Sequence, residues 1–132
     1  MIFMEKQTVS IKEIKPNGFI LIDGVPCRVE KVQVSTSGKH GHAKVRVEAI
    51  GLLDDVRRSL VCPSHETVEV PIVVAKKAQV LAVIGDKAQL MDLNDYSQIE
   101  LEIPEDRKKE VVPGNEILYY ETVGVKTLKK LK

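Results

Sequence analysis

Hydrophobic and polar residues alternate with a period of two along most of the chain. Val32 and Val34 alternate with Lys31 and Gln33, and Val45, Val47 and Ala49 alternate with Lys44, Arg46 and Glu48. Such alternation predicts strands with one buried and one wet face. Further strand-like runs are FILI at 19–22, VEVPIVV at 68–74, AQVLAVIG at 78–85, QLMDL at 89–93, IELEI at 99–103 and EILYYETV at 116–123. The turn signals KPNG, IDGVP, SGKHGH, LLDD, CPSHE, IGDK, LNDYS and VPGN separate them at short intervals. One helical turn is expected at PEDRKKE, 104–110, where proline and acids precede bases. No repeat of 20–50 residues is visible.

Short strands at this spacing predict an all-β chain of barrel or sandwich type. Pro71 lies between two strand-like runs and would interrupt a central ladder. The boundary is therefore placed near 69–72, giving domains 1–70 and 71–132, each at the low end for independent folding. Two small barrels in tandem are expected, with a single larger sandwich as the alternative.

Composition sharpens this picture. With five aromatics and no Trp, the cores must be built from Val, Ile and Leu, which favours strands. The net charge is +1, and the halves are balanced, with ten bases and nine acids in 1–70 and ten of each in 71–132. Any nucleic-acid binding must therefore come from local patches rather than bulk charge. No apolar run suits a signal peptide or a membrane span, so a cytoplasmic chain with reduced thiols at Cys27 and Cys62 is expected.

The segment STSGKHGHAK, 35–44, falls between two alternating runs and reads as a hairpin loop. Gly38 and Gly41 bracket Lys39 and His40. Glycine leaves no Cβ to crowd a visitor, so Lys39 would stand on a slim tip. Residues 31–47 hold Lys31, Lys39, Lys44 and Arg46 and no acid. That local field suits an anionic partner such as RNA phosphate, although such residues are also ordinary at a solvated hairpin tip.

Other chemistries fit less well. A phosphate-binding loop needs glycine at 33, where Gln33 stands, Ser or Thr after the lysine, where His40 stands, and a following helix. A zinc site from His40, His42, His65, Cys27 and Cys62 lacks two paired half-sites, so no metal is expected. Cys62, Ser64 and His65 are close in sequence, but no motif surrounds them with a base, an orienter and an oxyanion hole, so no catalytic residue is assigned.

STSGKHGHAKV resembles the modification loop of the translation initiation factor 5A family in its archaeal and eukaryotic form. The resemblance extends through GFILIDGVPCRVE at 18–30 and VCPSHETVEVP at 61–71, so it is strong over most of the first 71 residues. It implies an SH3-like barrel followed by an OB-fold. It implies that Lys39 is converted to hypusine or deoxyhypusine. Deoxyhypusine synthase would move an aminobutyl group from spermidine to the lysine nitrogen, within a modification loop of Ser37, Gly38, His40, Gly41 and His42. Whether hydroxylation follows is left open. The resemblance further implies a non-enzymatic translation factor that binds the ribosome and tRNA and promotes peptide bond formation, notably at prolines, much like bacterial elongation factor P. Lys44 and Arg46 on the stem are the expected RNA contacts. A monomer with no bound cofactor and no membrane partner is expected. The runner-up is a general RNA-binding barrel without a modified lysine, and a small enzyme is the third reading. The second half offers only Tyr96, Tyr119 and Tyr120 as aromatics, so no independent single-strand RNA site is assigned to it.

Overall fold

The computed structural model describes residues 6–36 and 43–132. These residues form eleven strands and two short 3-10 turns, in two compact units that divide between Ile72 and Val73. Among the described residues no sheet runs from one unit into the other. The fold is an SH3-like barrel followed by an OB-fold barrel.

In the first unit, β2 (Phe19–Ile22), β3 (Val25–Ser35), β4 (Lys44–Gly51) and β5 (Arg57–Pro63) form a curled antiparallel sheet in that order. A two-stranded ribbon of β1 (Lys6–Ser10) and β6 (Thr67–Pro71) lies against β2. The β2–β3 turn is Asp23–Gly24, both at positive φ, the conformation that matches the twist of a two-residue hairpin. Ile11, Ile20, Ile22, Cys27, Val29, Val45, Val47 and Ala49 fill the core. Strands β1 and β5 lie outside the runs that alternation picks out. Their charged residues pair across strands, Lys6 with Glu69 at 2.6 Å and Arg57 with Glu30 at 2.7 Å.

Alternation predicts Val34 as buried, and it is 65% exposed. A bulge between Val29 and Lys31 resets which residues of β3 face inward. Beyond it the inward row is Val32 and Val34, opposite Val47 and Val45. Val47 and Val45 remain buried, whereas β3 has run past the core by Val34. The face is as the sequence predicts, but no core is left to cover it.

The second unit is a five-stranded, nearly closed barrel in the order β11-β10-β7-β8-β9. Its strands are β7 (Val74–Ile84), β8 (Lys87–Asp92), β9 (Gln98–Glu102), β10 (Glu116–Thr122) and β11 (Val125–Thr127). The expected helical turn between β9 and β10 is a single 3-10 turn, Glu105–Arg107, with Pro104 as its cap. Ala78, Val80, Ala88, Leu90, Ile117, Tyr119 and Leu128 form the core. Tyr119 and Tyr120 are both buried, while Tyr96 stands 70% exposed. The second unit thus presents one aromatic ring to solvent.

One buried polar knot holds the second core. The Tyr119 hydroxyl donates to Asp92 Oδ2, and Asp92 Oδ1 accepts from the Asn94 and Asp95 amides at 2.7 and 3.1 Å. The Tyr119 hydroxyl and these amides favour the ionised carboxylate and hold it below the usual carboxylate range. Burial and Asp92 push the Tyr119 phenol up, so it stays a donor. Because the folded pKa of Asp92 is lowered, its contribution to stability is present above the unfolded value of about 3.9 and is lost as pH falls through the folded value. Tyr119→Phe should destabilise the chain by about 1–3 kcal/mol at pH 7. The difference from the parent should shrink below about pH 4, because the parent loses more on protonation. Urea unfolding at pH 7 and pH 3 measures this; an equal difference at both would refute it.

Candidate functional site

The loop of interest is the β3–β4 connection. Antiparallel pairing runs outward from Cys27 opposite Gly51 to Ser35 opposite Lys44. Strand β5 backs the same stretch of β4, from Arg57 opposite Ile50 to Pro63 opposite Lys44. The Ser64 amide donates to the Ala43 carbonyl at 2.9 Å, so β4 is held up to the point where it leaves the loop. The stem is thus the central pair of a four-stranded sheet, with β5 backing β4 along its length and β2 backing β3 only at its base, over Val25–Arg28. Residues 37–42, which hold Ser37, Gly38, Lys39, His40, Gly41 and His42, lie outside the described residues, as does the expectation of an exposed tip.

Register decides what the stem presents. Lys31 stands opposite Glu48, Gln33 opposite Arg46 and Ser35 opposite Lys44, all on the face away from the Val32 and Val47 row. Lys44 and Arg46 are exposed, as strands with Val45 and Val47 turned inward require. Glu48 alters the charge reading. It lies just past the acid-free window, yet the pleat brings Arg46 Nε to 3.5 Å from Glu48 Oε1 and places Lys31 directly across the ladder. The positive field is therefore weaker at the base of the stem and strongest toward Lys44.

The β4–β5 turn locks the far end of the stem. Arg58 grips Asp54 with two nitrogens at 2.9 and 3.1 Å, and Asp54 also accepts from the Val56 amide at 3.0 Å. The Arg58 guanidinium and that amide hold the Asp54 carboxyl down at about 2. Gly51 is buried beneath this pair. A Cβ there would lie 1.9 Å from Asp54 Oδ1 and 2.9 Å from Arg58 Nη1.

The competing chemistries fare as follows. A strand, β4, follows the GK pair, where a phosphate-binding loop needs a helix. Cys62 is half-buried in β5, and burial and Glu66 push its thiol up, the opposite of an activated nucleophile. Cys27 is buried, its thiol raised chiefly by desolvation, and donates to the Val25 carbonyl. Among the described residues no group of three His, Cys, Asp or Glu could hold a metal, and no helix is long and apolar enough to cross a membrane.

The family described as translation initiation factor 5A-like, N-terminal, matches residues 5–66, the segment that builds the hairpin and its supporting sheet. Translation initiation factor 5A of Archaeoglobus fulgidus is 41% identical over 126 residues, covering 96% of this chain and 98% of that protein. The chain belongs to the translation initiation factor 5A family. The Methanocella arvoryzae factor is 48% identical over 119 residues, covering 90% of this chain and 93% of its own length. The solved structure of eukaryotic translation initiation factor 5A from Methanococcus jannaschii superposes with a TM-score of 0.84 at 42% identity, covering 96% of this chain and 94% of that one. A family protein from Naegleria fowleri shares the fold at a TM-score of 0.76 and 24% identity, covering 97% and 99% of the two chains. Both barrels are thus common to these relatives, and the role is that of a translation factor.

Gly51→Ala should destabilise the chain, because a Cβ there pushes the Asp54 carboxylate off Arg58. In Gly51→Ala/Asp54→Ala the two losses should add to less than their sum, because one pair is removed twice. Denaturant midpoints of the three variants test this; strict additivity would contradict it.

Proposed function

We propose that this chain binds the ribosome and promotes peptide bond formation, notably at stalled proline-rich sequences, through a hypusine or deoxyhypusine side chain built on Lys39. The observation that carries the reading is the STSGKHGHAK segment on the β3–β4 connection of a chain in this family. Its two flanking strands are the central pair of the first sheet.

The chemistry follows from lysine. Its ammonium sits on a four-carbon stem and, once deprotonated, is a primary amine that can accept an alkyl group. Deoxyhypusine synthase transfers the aminobutyl group of spermidine: a carbon–nitrogen bond of spermidine breaks, one to Lys39 Nζ forms, and 1,3-diaminopropane leaves with the proton that Nζ gives up. The product carries a second amine and gains roughly 6 Å of reach, estimated from five extended bonds. A slender doubly cationic arm can pass between tRNA phosphates where a folded loop would not fit. It acts by positioning and not by acid–base turnover. Lys44, beside the loop, is the stronger of the two stem contacts to phosphate, and Arg46 is the weaker because Glu48 shares its charge. The factor works as a cytoplasmic monomer, and its covalent modification takes the place of a bound cofactor.

Lys39→Arg separates charge from modification. Guanidinium keeps the cation but offers no primary amine for the transfer. The variant should fold, with stability within about 0.5 kcal/mol of the parent, yet carry no added mass and give no stimulation of a polyproline message in reconstituted translation. Full stimulation by Lys39→Arg would overturn the proposal, because charge alone would then suffice.

A further inference from the structure

OB-fold barrels commonly hold oligonucleotides on the outward face of their second and third strands. In this chain those strands are β8 and β9. Their outward rows place Lys87 opposite Glu102, Gln89 opposite Glu100 and Met91 opposite Gln98. Two carboxylates thus face one ammonium, with Lys87 Nζ 3.7 Å from Glu100 Oε1, and no aromatic lies in these rows. Such a face repels phosphate and offers no ring for a base to stack on.

The cations of this barrel are gathered elsewhere. Residues 73–132 hold ten Lys and Arg and ten Asp and Glu, yet six of the ten bases are Lys108, Lys109, Lys126, Lys129, Lys130 and Lys132. Arg107 is what brings the two stretches together. Its buried guanidinium donates through Nη1 to the Leu118 and Leu128 carbonyls, each at 2.7 Å, and through Nε to Glu110. The turn at 105–110 is thereby tied to the segment at 128–132. Leu128 and Leu131 are fully buried, so that segment lies along the barrel while Lys130 and Lys132 are exposed. Glu105 is taken by Lys108 and Glu110 by Arg107. Among the described residues Lys109, Lys130 and Lys132 have no carboxylate within salt-bridge distance.

We infer that the lysine ridge formed by Lys109, Lys130 and Lys132 is the RNA-backbone contact surface of the second barrel, in place of the acidic β8–β9 face. Three exposed ammoniums on flexible stems suit phosphates read without regard to sequence. Leu128 and Leu131 point inward, so the segment that carries Lys130 and Lys132 turns its leucines to the core and its ammoniums to solvent. The inference rests on the ribosomal reading above only for the choice of RNA as the polyanion.

The test uses the full unmodified chain and an RNA hairpin, with anisotropy titrations at several KCl concentrations. Lys109→Gln/Lys130→Gln/Lys132→Gln should bind about tenfold or more weakly, and its slope of log K against log salt should fall by about two units or more. The corresponding triple Arg variant should keep the parent slope, which separates lost charge from lost folding. Glu100→Gln/Glu102→Gln should leave the slope unchanged. A triple Gln variant with parental affinity and slope would overturn the inference and leave the ridge to an acidic protein. A larger response from the Glu pair than from the lysines would return the RNA site to the β8–β9 face. Every arm keeps Lys39 intact and unmodified, so failure of the modification proposal would not alter these slopes.

Discussion

The pairing of β3 with β4 is the constraint on which the first barrel depends. It is the central ladder of the four-stranded sheet, and it runs past the core that its inner half helps to fill. A hairpin alone is marginally stable in water. Here β5 pairs along β4, β2 pairs with the base of β3, and Val45 and Val47 anchor the hairpin to the core. The Asp54–Arg58 clamp over Gly51 fixes the opposite end of β4. A paired stem of this kind suits the family's role in translation, because it fixes the strands on either side of the connection.

The second barrel follows a different logic. Its core is organised around two buried polar groups, each with its partners nearby. Asp92 ties β8 to Tyr119 of β10 and shapes the following turn. Arg107 ties the 3-10 turn to β10 and to the segment after β11. A buried charge is costly unless it is paired and hydrogen-bonded. Both therefore specify one arrangement of the strands and turns around them. Arg107 has a second consequence, since it ties together two lysine-bearing stretches of a nearly neutral barrel.

Much of this was legible in the sequence for a simple reason. Period-two alternation and turn residues report local geometry, and they mark β2, β4 and the Asp23–Gly24 turn well. What escaped them depends on which side chains the fold brings together. β5 opens with Arg57 and Arg58, outside the alternating runs, and Arg57 finds its partner in Glu30 of β3, twenty-seven residues away. Val34 alternates as a core residue should, but only the barrel shows that β3 has outrun its core. Glu48 falls one residue outside the basic window and is brought beside Arg46 by the pleat. Arg107 sits in a run of charges that looks solvated, and its burial follows from carbonyls eleven and twenty-one residues away. The candidate lysine was legible through its motif, because the STSGKHGHAK segment carries its information in residue identity rather than in packing.

The central claim is that Lys39 carries the covalent arm. Protein purified from its natural source, digested and sequenced by mass spectrometry, tests it most directly. The account predicts that the peptide containing Lys39 bears an added aminobutyl group, hydroxylated or not, and that the other lysines bear none. Native protein whose Lys39 is uniformly unmodified would contradict it.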